Sequence, residues 1–259
     1  MTEAFPGVYH LEDRMGVHMT LLVGKNRALL LDTGYGLDNV FSLVREITDL
    51  PLTVVLSHGH HDHALGCQWF DKVFMHLDDI PVYEVYTGEF WRKSVLMSAH
   101  AKGLAVDDSA FLSRAVARPL PLTEMNADLG GLTVSFLFSP GHTPGSLMAW
   151  IPERKLLLTA DNWNPVTWCF FPESMPVQTL LHSLRRALTL PFETVLCPHS
   201  GDVFARKDLS AFMDTFDEDA LRSAEKTALG RRFDVDVRMA VTSRGHQLCF
   251  DYQKAFPGK

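Results

Sequence analysis

Four short apolar runs in this chain each end in a residue type that can bind a metal ion. The runs cover residues 52–56, 134–138, 156–158 and 195–196. If they are buried strands of a helix-covered sheet, the polar residues that follow them gather beyond one edge, where such sheets place their sites. The candidate ligands at that edge are His58, His60, Asp62, His63, His142, Asp161 and His199.

The densest motif is the run HGHHDH, residues 58–63, which directly follows the first apolar run. Imidazole and carboxylate donors together suit zinc, iron and manganese. Read as His-x-His-x-Asp-His, the motif supplies His58, His60, Asp62 and His63 as ligands and uses His61 as a spacer. A loop on a rigid strand can aim these groups at one point, and two ligand pairs can serve two adjacent metals.

The seven candidates divide by chemistry into ligands for two divalent metal ions, zinc by first choice, with iron or manganese as alternatives. Three imidazoles would hold one ion and leave a position for water, a second set would hold the other, and one carboxylate would bridge them. The first set is His58, His60 and His142, the second is Asp62, His63 and His199, and the bridge is Asp161. A bridging water would become hydroxide near neutral pH, because zinc lowers the pKa of bound water to about 7. Asp62 would orient this nucleophile and act as the catalytic base or acid.

The composition is that of a globular protein, and we expect a small-molecule substrate. Of its 259 residues 46% are apolar, and 24 basic against 31 acidic residues give a net charge of −7. That balance argues against nucleic acid and membrane surfaces as partners, since phosphate binding requires clustered Lys and Arg. The sequence carries no signal for the oligomeric state.

Cysteine usage and the N-terminal residues predict a soluble cytoplasmic protein. The four cysteines lie far apart and form no CxxC pair, which is typical of a reducing compartment. Residues 1–7 are acidic and contain Pro6, unlike a signal peptide. No window has the apolar length of a membrane span.

Hydrophobic periodicity predicts strands alternating with helices and no obvious linker. The predicted strands cover residues 17–23, 28–31, 53–56, 73–76, 132–138, 146–151, 155–159, 194–197, 235–241 and 247–250. The predicted helices cover 39–47, with Asp38 as the N-cap, 177–188 and 208–229. Residues 78–118, rich in aromatic side chains, should form a helical insertion that walls or covers the site.

Taken in order, the motifs HGHHDH, PGHTPGS, TAD and PHSG resemble those of the metallo-beta-lactamase fold superfamily. The resemblance extends from Asp32 to Gly201, most of the chain. It implies an α/β (α+β) fold of the αββα sandwich type over a single domain, residues 1–259, with two mixed β-sheets flanked by helices. It also implies a dinuclear site at one sheet edge, the seven candidates as its ligands, and Asp32 as a structural residue beside them.

Asp161 indicates which groups within the superfamily this chain resembles most. One large group of zinc β-lactamases has Cys at this position, and the other β-lactamase groups also lack a bridging Asp. In Asp161 this chain resembles hydrolases of the glyoxalase II, lactonase, phosphodiesterase and RNase Z types, which have Asp at the same motif position. Flavin-linked diiron oxidases usually have Glu where this chain has His60. The resemblance therefore favours a hydrolase that does not act on β-lactams.

The leading hypothesis is a metal-dependent hydrolase in which a metal-bridging hydroxide attacks a small ester, thioester or lactone. Alternatives are a phosphodiesterase or ribonuclease, an iron-dependent redox protein of the same fold, and a non-enzymatic metal-binding module. A basic cluster for the carboxylates of glutathione is weak and consists of Lys226, Arg231 and Arg232.

Other histidines, cysteines and aromatic residues are interpreted mainly as structural. We expect Cys67 and Cys197 to be buried small apolar residues. Trp163 and Trp168 closely follow Asp161 and are candidates either for the core or for a pocket wall. The remaining histidines are expected on the surface or in satisfied core positions: His10, His18, His76, His100, His182 and His246.

Overall fold

The computed structural model describes residues 2–229 and 234–258, and the chain divides after Ser135 into two compact units. Both units contain mixed β-sheets and helices, so the α/β fold class is confirmed. The assignment of the whole chain to a single domain stays a prediction. Arg231 and Arg232 lie outside the described residues. None of the helices within the described ranges is long and apolar enough to cross a membrane.

The first unit is built on a mixed sheet whose strands follow one another in chain order. In the described part of the chain these strands are β1 (Thr2–Phe5), β2 (Val8–Glu12), β3 (His18–Val23), β4 (Ala28–Leu31), β5 (Leu52–Val55), β6 (Phe74–Met75) and β7 (Leu120–Pro121). The strands from β1 to β4 pair antiparallel, and those from β4 to β7 pair parallel. All residues of β4 are apolar and buried, as expected for a strand covered on both faces. The predicted strands of residues 17–23 and 28–31 are confirmed, and they pair antiparallel as β3 and β4.

Neighbouring strands that run parallel require crossover connections, and in this unit the connections from β4 to β7 contain helices. They are α1 (Val40–Arg45), α2 (His61–Ala64), α3 (Ile80–Tyr86), α4 (Glu89–Ala101) and α5 (Asp108–Ser113). Since α3, α4 and α5 all lie between β6 and β7, the helical insertion over residues 78–118 is confirmed. Its role as a wall or lid stays a prediction.

The second unit contains a mixed sheet and a smaller sheet. The boundary between the units falls within β9 (Thr133–Phe138), whose first residues pair with β8 (Asn126–Asp128). The strands described after β9 are β10 (Leu147–Ile151), β11 (Leu156–Leu158), β12 (Val166–Cys169), β13 (Thr194–Leu196), β14 (Phe204–Ala205), β15 (Glu225–Lys226), β16 (Val237–Val241) and β17 (Gln247–Asp251). One sheet has the order β14-β13-β11-β10-β9-β8, and the smaller one has the order β12-β17-β16-β15. In the first of these, β11 pairs parallel with β13 and antiparallel with β10.

Each unit has a hydrophobic core of its own. In the first unit, Leu30 and Val54 of adjacent strands pack in one cluster with Val44 of α1. The helices of the second unit are α6 (Val177–Ala187), α7 (Arg206–Thr215), α8 (Glu218–Ser223) and α9 (Tyr252–Ala255). There, Leu180 of α6 joins a cluster with Trp163. Each such side chain contributes about 1.5–3 kcal/mol on burial, which fixes the strands that carry the candidate ligands.

The predicted long helix over residues 208–229 is wrong. Helix α7 ends at Thr215, and α8 begins after Asp217, whose side chain accepts a hydrogen bond from the Ala220 backbone N–H at 2.8 Å. Phe216 between them is 1% exposed and departs from helical backbone geometry. Burial of this aromatic ring and the Asp217 cap therefore override the helical periodicity. The strand β15 follows within the same predicted range.

One smaller prediction, the N-cap of α1, is also wrong, and one strand was missed. The N-cap of α1 is Asn39, whose side chain accepts from the Ser42 backbone N–H at 3.1 Å, whereas Asp38 forms an exposed ion pair with Arg14. The strand β12 was not predicted, because it has only four residues and exposes Val166 and Trp168 while it buries Thr167, so no alternation of apolar and polar residues marks it. Such a short pattern is typical of a loop as well as of a strand.

Replacing Asn39 by alanine should lower the free energy of unfolding by about 1 kcal/mol, because the cap of α1 is lost. Asp38→Ala is the matched control and should cost roughly 0.3 kcal/mol, as expected for an exposed ion pair. Urea unfolding of both variants measures the difference. A larger loss of stability in Asp38→Ala than in Asn39→Ala would show that Asp38 is the N-cap, as predicted from the sequence.

Candidate metal centre

The parallel pairing of β4 with β5 places Asp32 next to the start of the histidine loop. Leu31 and Val55 are paired, so the residues that follow them leave the sheet at the same edge. The carboxylate of Asp32 accepts from the backbone N–H and the hydroxyl of Ser57 at 2.7 and 2.8 Å. Asp32 is 3% exposed and has φ of 66°, a left-handed conformation that few side chains other than Asn and Asp tolerate.

Hydrogen bonds at Nδ1 orient two of the loop histidines. His63 Nδ1 lies 3.0 Å from Oδ2 of Asp32, and His58 Nδ1 lies 3.0 Å from the hydroxyl of Ser57. A carboxylate only accepts, so the proton of neutral His63 sits on Nδ1 and the lone pair sits on Nε2. Carboxylate–histidine pairs of this kind support the imidazole ligands of protein-bound metals. The expected structural role of Asp32 agrees with these contacts.

Asp79 and Thr33 hold the backbone of the same loop and were missed from the sequence. The buried carboxylate of Asp79 accepts from the Gly59 backbone N–H at 2.6 Å, and the Thr33 hydroxyl donates to the His63 carbonyl at 2.8 Å. A Cβ at Gly59 would lie 2.4 Å from the Tyr83 nitrogen, so this position requires glycine. Asp79 follows β6, and its place after a strand end was the available signal.

The other three members of the HGHHDH motif lie in the same loop and in helix α2. Asp62 is on α2, and its Oδ2 lies 3.6 Å from Nε2 of His63. His60 is 3% exposed, and its ring contacts that of Tyr86 at a centroid distance of 4.4 Å. His61, the predicted spacer, stacks on Trp91 at 4.9 Å.

In the second unit, strand register brings Asp161 and His199 together. Leu158 of β11 pairs with Leu196 of β13, and both candidate ligands lie three residues beyond that pair. The Nε2 atom of His199 is 3.1 Å from Oδ2 of Asp161. Ala160, directly before Asp161, has φ of 47°, so the chain turns sharply as it leaves β11.

His142 reaches the same carboxylate from the loop before β10. That loop lies at the shared edge because β10 and β11 are antiparallel. The Nε2 atom of His142 is 3.5 Å from Oδ2 of Asp161, and its Nδ1 donates to the Trp168 carbonyl at 2.6 Å. Since a carbonyl only accepts, the Nε2 lone pair of neutral His142 faces the carboxylate.

Asparagine side chains hold this arrangement and were also missed from the sequence. Asn164 donates to Oδ1 of Asp161 at 3.3 Å and accepts from the His199 backbone N–H at 3.3 Å, so one amide fixes two candidate ligands. Asn162 accepts from the His142 backbone N–H at 3.1 Å and donates to the Ser139 carbonyl at 2.7 Å. Both lie within three residues of Asp161 and are buried. The signal that the sequence offered was their position next to a candidate ligand.

The donor geometry within each unit fits metal ligation. Two ligands bound tetrahedrally to one zinc at about 2.1 Å lie about 3.4 Å apart. The distances from carboxylate oxygen to Nε2 given above, 3.1, 3.5 and 3.6 Å, lie close to that value. The histidine and aspartate clusters of this chain therefore suggest a dinuclear metal centre whose metal is undetermined.

Several other candidates prove to be structural. Trp163 is fully buried in the second core, whereas Trp168 on β12 is 39% exposed. Cys67 and Cys197 are buried free thiols, and burial raises the pKa of Cys67 to about 12 and that of Cys197 well above its usual value. Such thiols stay protonated and inert. Their burial agrees with the prediction from the sequence.

Comparison with known proteins gives one family. The sequence profile of the metallo-beta-lactamase superfamily matches residues 13–199. The probable metallo-hydrolase YqgX of Bacillus subtilis (strain 168) is 26% identical over 207 residues, which cover 75% of this chain and 91% of that protein. A hydroxyacylglutathione hydrolase of Bartonella henselae is 26% identical over 148 residues, 57% of this chain and 48% of that enzyme.

Solved structures agree with this assignment. The crystal structure of TTHA1623 in a di-iron-bound form is 26% identical, with a TM-score of 0.54. The match covers 76% of this chain and 94% of that one. A family protein from Thermus thermophilus, TTHA1429, has a TM-score of 0.58 at 20% identity and covers 82% of this chain and 80% of its own, which supports the fold alone.

Asp32→Asn should weaken metal binding about 10- to 100-fold, as loss of a ligand's hydrogen-bond partner typically does. Asparagine keeps the size and tolerates the left-handed backbone, but its amide donates toward His63 Nδ1 and favours the tautomer that blocks Nε2. Competition with a chromogenic chelator measures the affinity. Asp38→Asn, on the surface, is the control. Equal affinities in the two variants would show that Asp32 does not set the His63 tautomer.

Proposed function

We propose, from the premise that this chain belongs to the metallo-beta-lactamase superfamily, that it is a metal-dependent hydrolase of a small ester, thioester or lactone. The single observation that carries the metal dependence is the approach of two imidazole Nε2 atoms, from His142 and His199, to one oxygen of Asp161. Two neutral rings around one carboxylate oxygen form a donor set for a divalent cation.

The proposal assigns the ligands to two ions. His58, His60 and His142 would hold one ion, and Asp62, His63 and His199 would hold the other, with Asp161 shared. Zinc suits this mixture of imidazole and carboxylate donors, and iron or manganese would suit it as well. The di-iron form of TTHA1623 supports keeping iron as an alternative.

The residues of this chain would divide the chemistry among them. When bound, the ions would polarise the scissile bond and lower the pKa of a water, to about 7 for zinc. The bonds from Asp32 to His63 and from the Trp168 carbonyl to His142 keep both Nε2 lone pairs available. Asp62 would orient the attacking water and hold the proton released from it at a carboxylate oxygen.

The choice of a carbonyl substrate is supported by composition and by relatives. A net charge of −7 disfavours a long polyanionic substrate such as RNA. One relative is named for hydrolysis of a hydroxyacylglutathione, and this chain spans about half of that enzyme's length, 48%. An Asp at position 161, where it would bridge the two ions, supports a hydrolase of this type over a β-lactamase.

A hydrolysis screen tests the proposal. Protein loaded separately with zinc, manganese and iron is assayed on thioesters, esters, lactones, phosphodiesters and β-lactams. We expect turnover of at least one acyl substrate, and none of the β-lactams. Hydrolysis of phosphodiesters alone would replace this function by the phosphodiesterase alternative. Iron with a visible absorption band and no hydrolysis would favour the redox alternative.

Asp161→Ala should lose bound metal and reduce turnover at least 1000-fold, roughly 4 kcal/mol of transition-state stabilisation. Metal content by mass spectrometry and initial rates on the best acyl substrate measure the effect. His182→Ala, an exposed histidine on α6, is the control and should match the wild type. Wild-type metal content in the Asp161 variant would contradict the assignment.

A further inference from the structure

A series of aromatic rings leads from the candidate ligand loop, residues 58–63, to the surface of the helical insertion. The ring of Tyr86 at the end of α3 lies 4.4 Å from that of His60, and Trp91 of α4 stacks on Tyr86 at 4.6 Å. Phe90 contacts Trp91 edge to face at 5.5 Å. These contacts lie within the range of favourable aromatic pairs.

The outer end of this series is exposed and apolar. Helix α4 buries Val95, Leu96 and Ala99, whereas Phe90 is 69% and Met97 73% exposed. At about 100° per residue, positions seven apart share a face, so Phe90 and Met97 lie together opposite the buried side. We call Phe90, Trp91 and Met97 the outer face of α4. Exposed clusters of large apolar side chains commonly mark binding surfaces.

The insertion is firmly fixed relative to the ligand loop. Asp79, the N-cap residue of α3, binds the Gly59 backbone between His58 and His60 at 2.6 Å. The buried guanidinium of Arg92 on α4 donates to the Phe111 carbonyl of α5. The first contact ties the start of α3 to residues 58–63, and the second ties α4 to α5, so both limit movement of the insertion, as a specificity surface requires.

We propose that the outer face of α4 binds the apolar acyl group of the substrate. This inference rests on the proposed hydrolase function and specifies its substrate class: acyl esters or thioesters with medium-length alkyl or aryl groups, rather than acetyl. Accessible rings select this occupant: Tyr86 is buried, but the half-buried rings of His61 and Trp91 stack on each other, and Trp91 contacts exposed Phe90. A group held at residues 58–63 therefore extends over Trp91 to Phe90. Each methylene buried on such a surface adds about three- to fourfold in kcat/KM.

An acyl-chain series tests the proposal. Acetyl, butyryl, hexanoyl, octanoyl and phenylacetyl esters of one leaving group are compared on wild type, Phe90→Ala and Met97→Gln. Wild-type kcat/KM should rise at least tenfold from acetyl to octanoyl. Each variant should lower the octanoyl value about five- to tenfold and the acetyl value less than half as much. Phe41→Ala, a 40% exposed residue on α1, should keep the wild-type series.

Several outcomes would overturn this inference while the hydrolase function stands. One is wild-type turnover that does not vary with acyl length, and another is an equal loss for acetyl and octanoyl in the variants. Sedimentation that shows a dimer abolished by Phe90→Ala would assign the face to self-association, and liposome binding lost in that variant would assign it to lipid. No turnover of any acyl ester by any metal-loaded form would refute the proposed function itself.

A second observation, in the other unit, concerns Lys254 of α9. Its ammonium group donates to three carbonyls of one turn: those of Phe171 at 3.0 Å, Pro172 at 2.7 Å and Ser174 at 2.8 Å. All three of its N–H donors are thereby used. The ammonium group therefore holds the turn of residues 171–174 against α9.

That turn continues directly to a candidate ligand. The hydroxyl of Ser174, which is 3% exposed, donates to the His142 carbonyl at 2.7 Å. The next residue, Met175, donates from its backbone to the Gly141 carbonyl at 2.9 Å. We infer that Lys254 is a positioning residue for His142 and acts through the turn of residues 171–174.

Lys254→Met should weaken metal binding about tenfold, as loss of an outer partner of a ligand does. In the metal-free protein, NMR should show that the Nδ1–H of His142 exchanges faster with water. A general loss of stability would speed the exchange of other histidines as well. Lys254→Arg should restore part of both. Lys207→Met, exposed on α7, is the control.

A second variant covers the case in which Lys254→Met does not fold. Ser174→Ala removes the final bond to His142 and should give the same two effects. Wild-type affinity and wild-type exchange of the His142 signal in either folded variant would show that the Lys254 contacts are structural only.

Discussion

Parallel pairing of neighbouring strands is the constraint on which both ligand clusters depend. Leu31 pairs with Val55 in the first unit, and Leu158 pairs with Leu196 in the second. In each case the residues beyond the pair leave the sheet at one edge, so Asp32 meets Ser57, and Asp161 meets His199. Backbone hydrogen bonds of the sheet thus fix Asp32, which supports His63, and the candidate ligands Asp161 and His199. Preorganised ligands of this kind bind more tightly because little conformational freedom remains to be lost.

The ligand types and most strands could be predicted because they rest on local patterns. Short apolar runs gave β5, β9, β11 and β13, and the ligand types that follow these runs gave the candidate set. The helical insertion was recognised because residues 78–118 contain no run with strand character. The family followed from the order of four motifs and agrees with the match over residues 13–199.

The remaining features depend on contacts between distant residues, which a local pattern does not contain. Asp79 binds Gly59 only because the insertion folds back on the ligand loop, and Lys254 reaches the turn of residues 171–174 from the far end of the sequence. The long helix over 208–229 failed for a related reason. Its periodicity was helical, but burial of Phe216 in the core of the second unit breaks it. The supporting residues thus depend on tertiary structure, whereas the candidate ligands were recognised from local motifs.

Anomalous diffraction from crystals of the zinc-loaded protein would test the central claim most directly. We predict two zinc peaks per chain, both within bonding distance of Asp161 oxygens, with His63 and His142 coordinated through Nε2 because their Nδ1 atoms bind Asp32 and the Trp168 carbonyl. Coordination of His142 through Nδ1, or zinc bound elsewhere with none at Asp161, would contradict it.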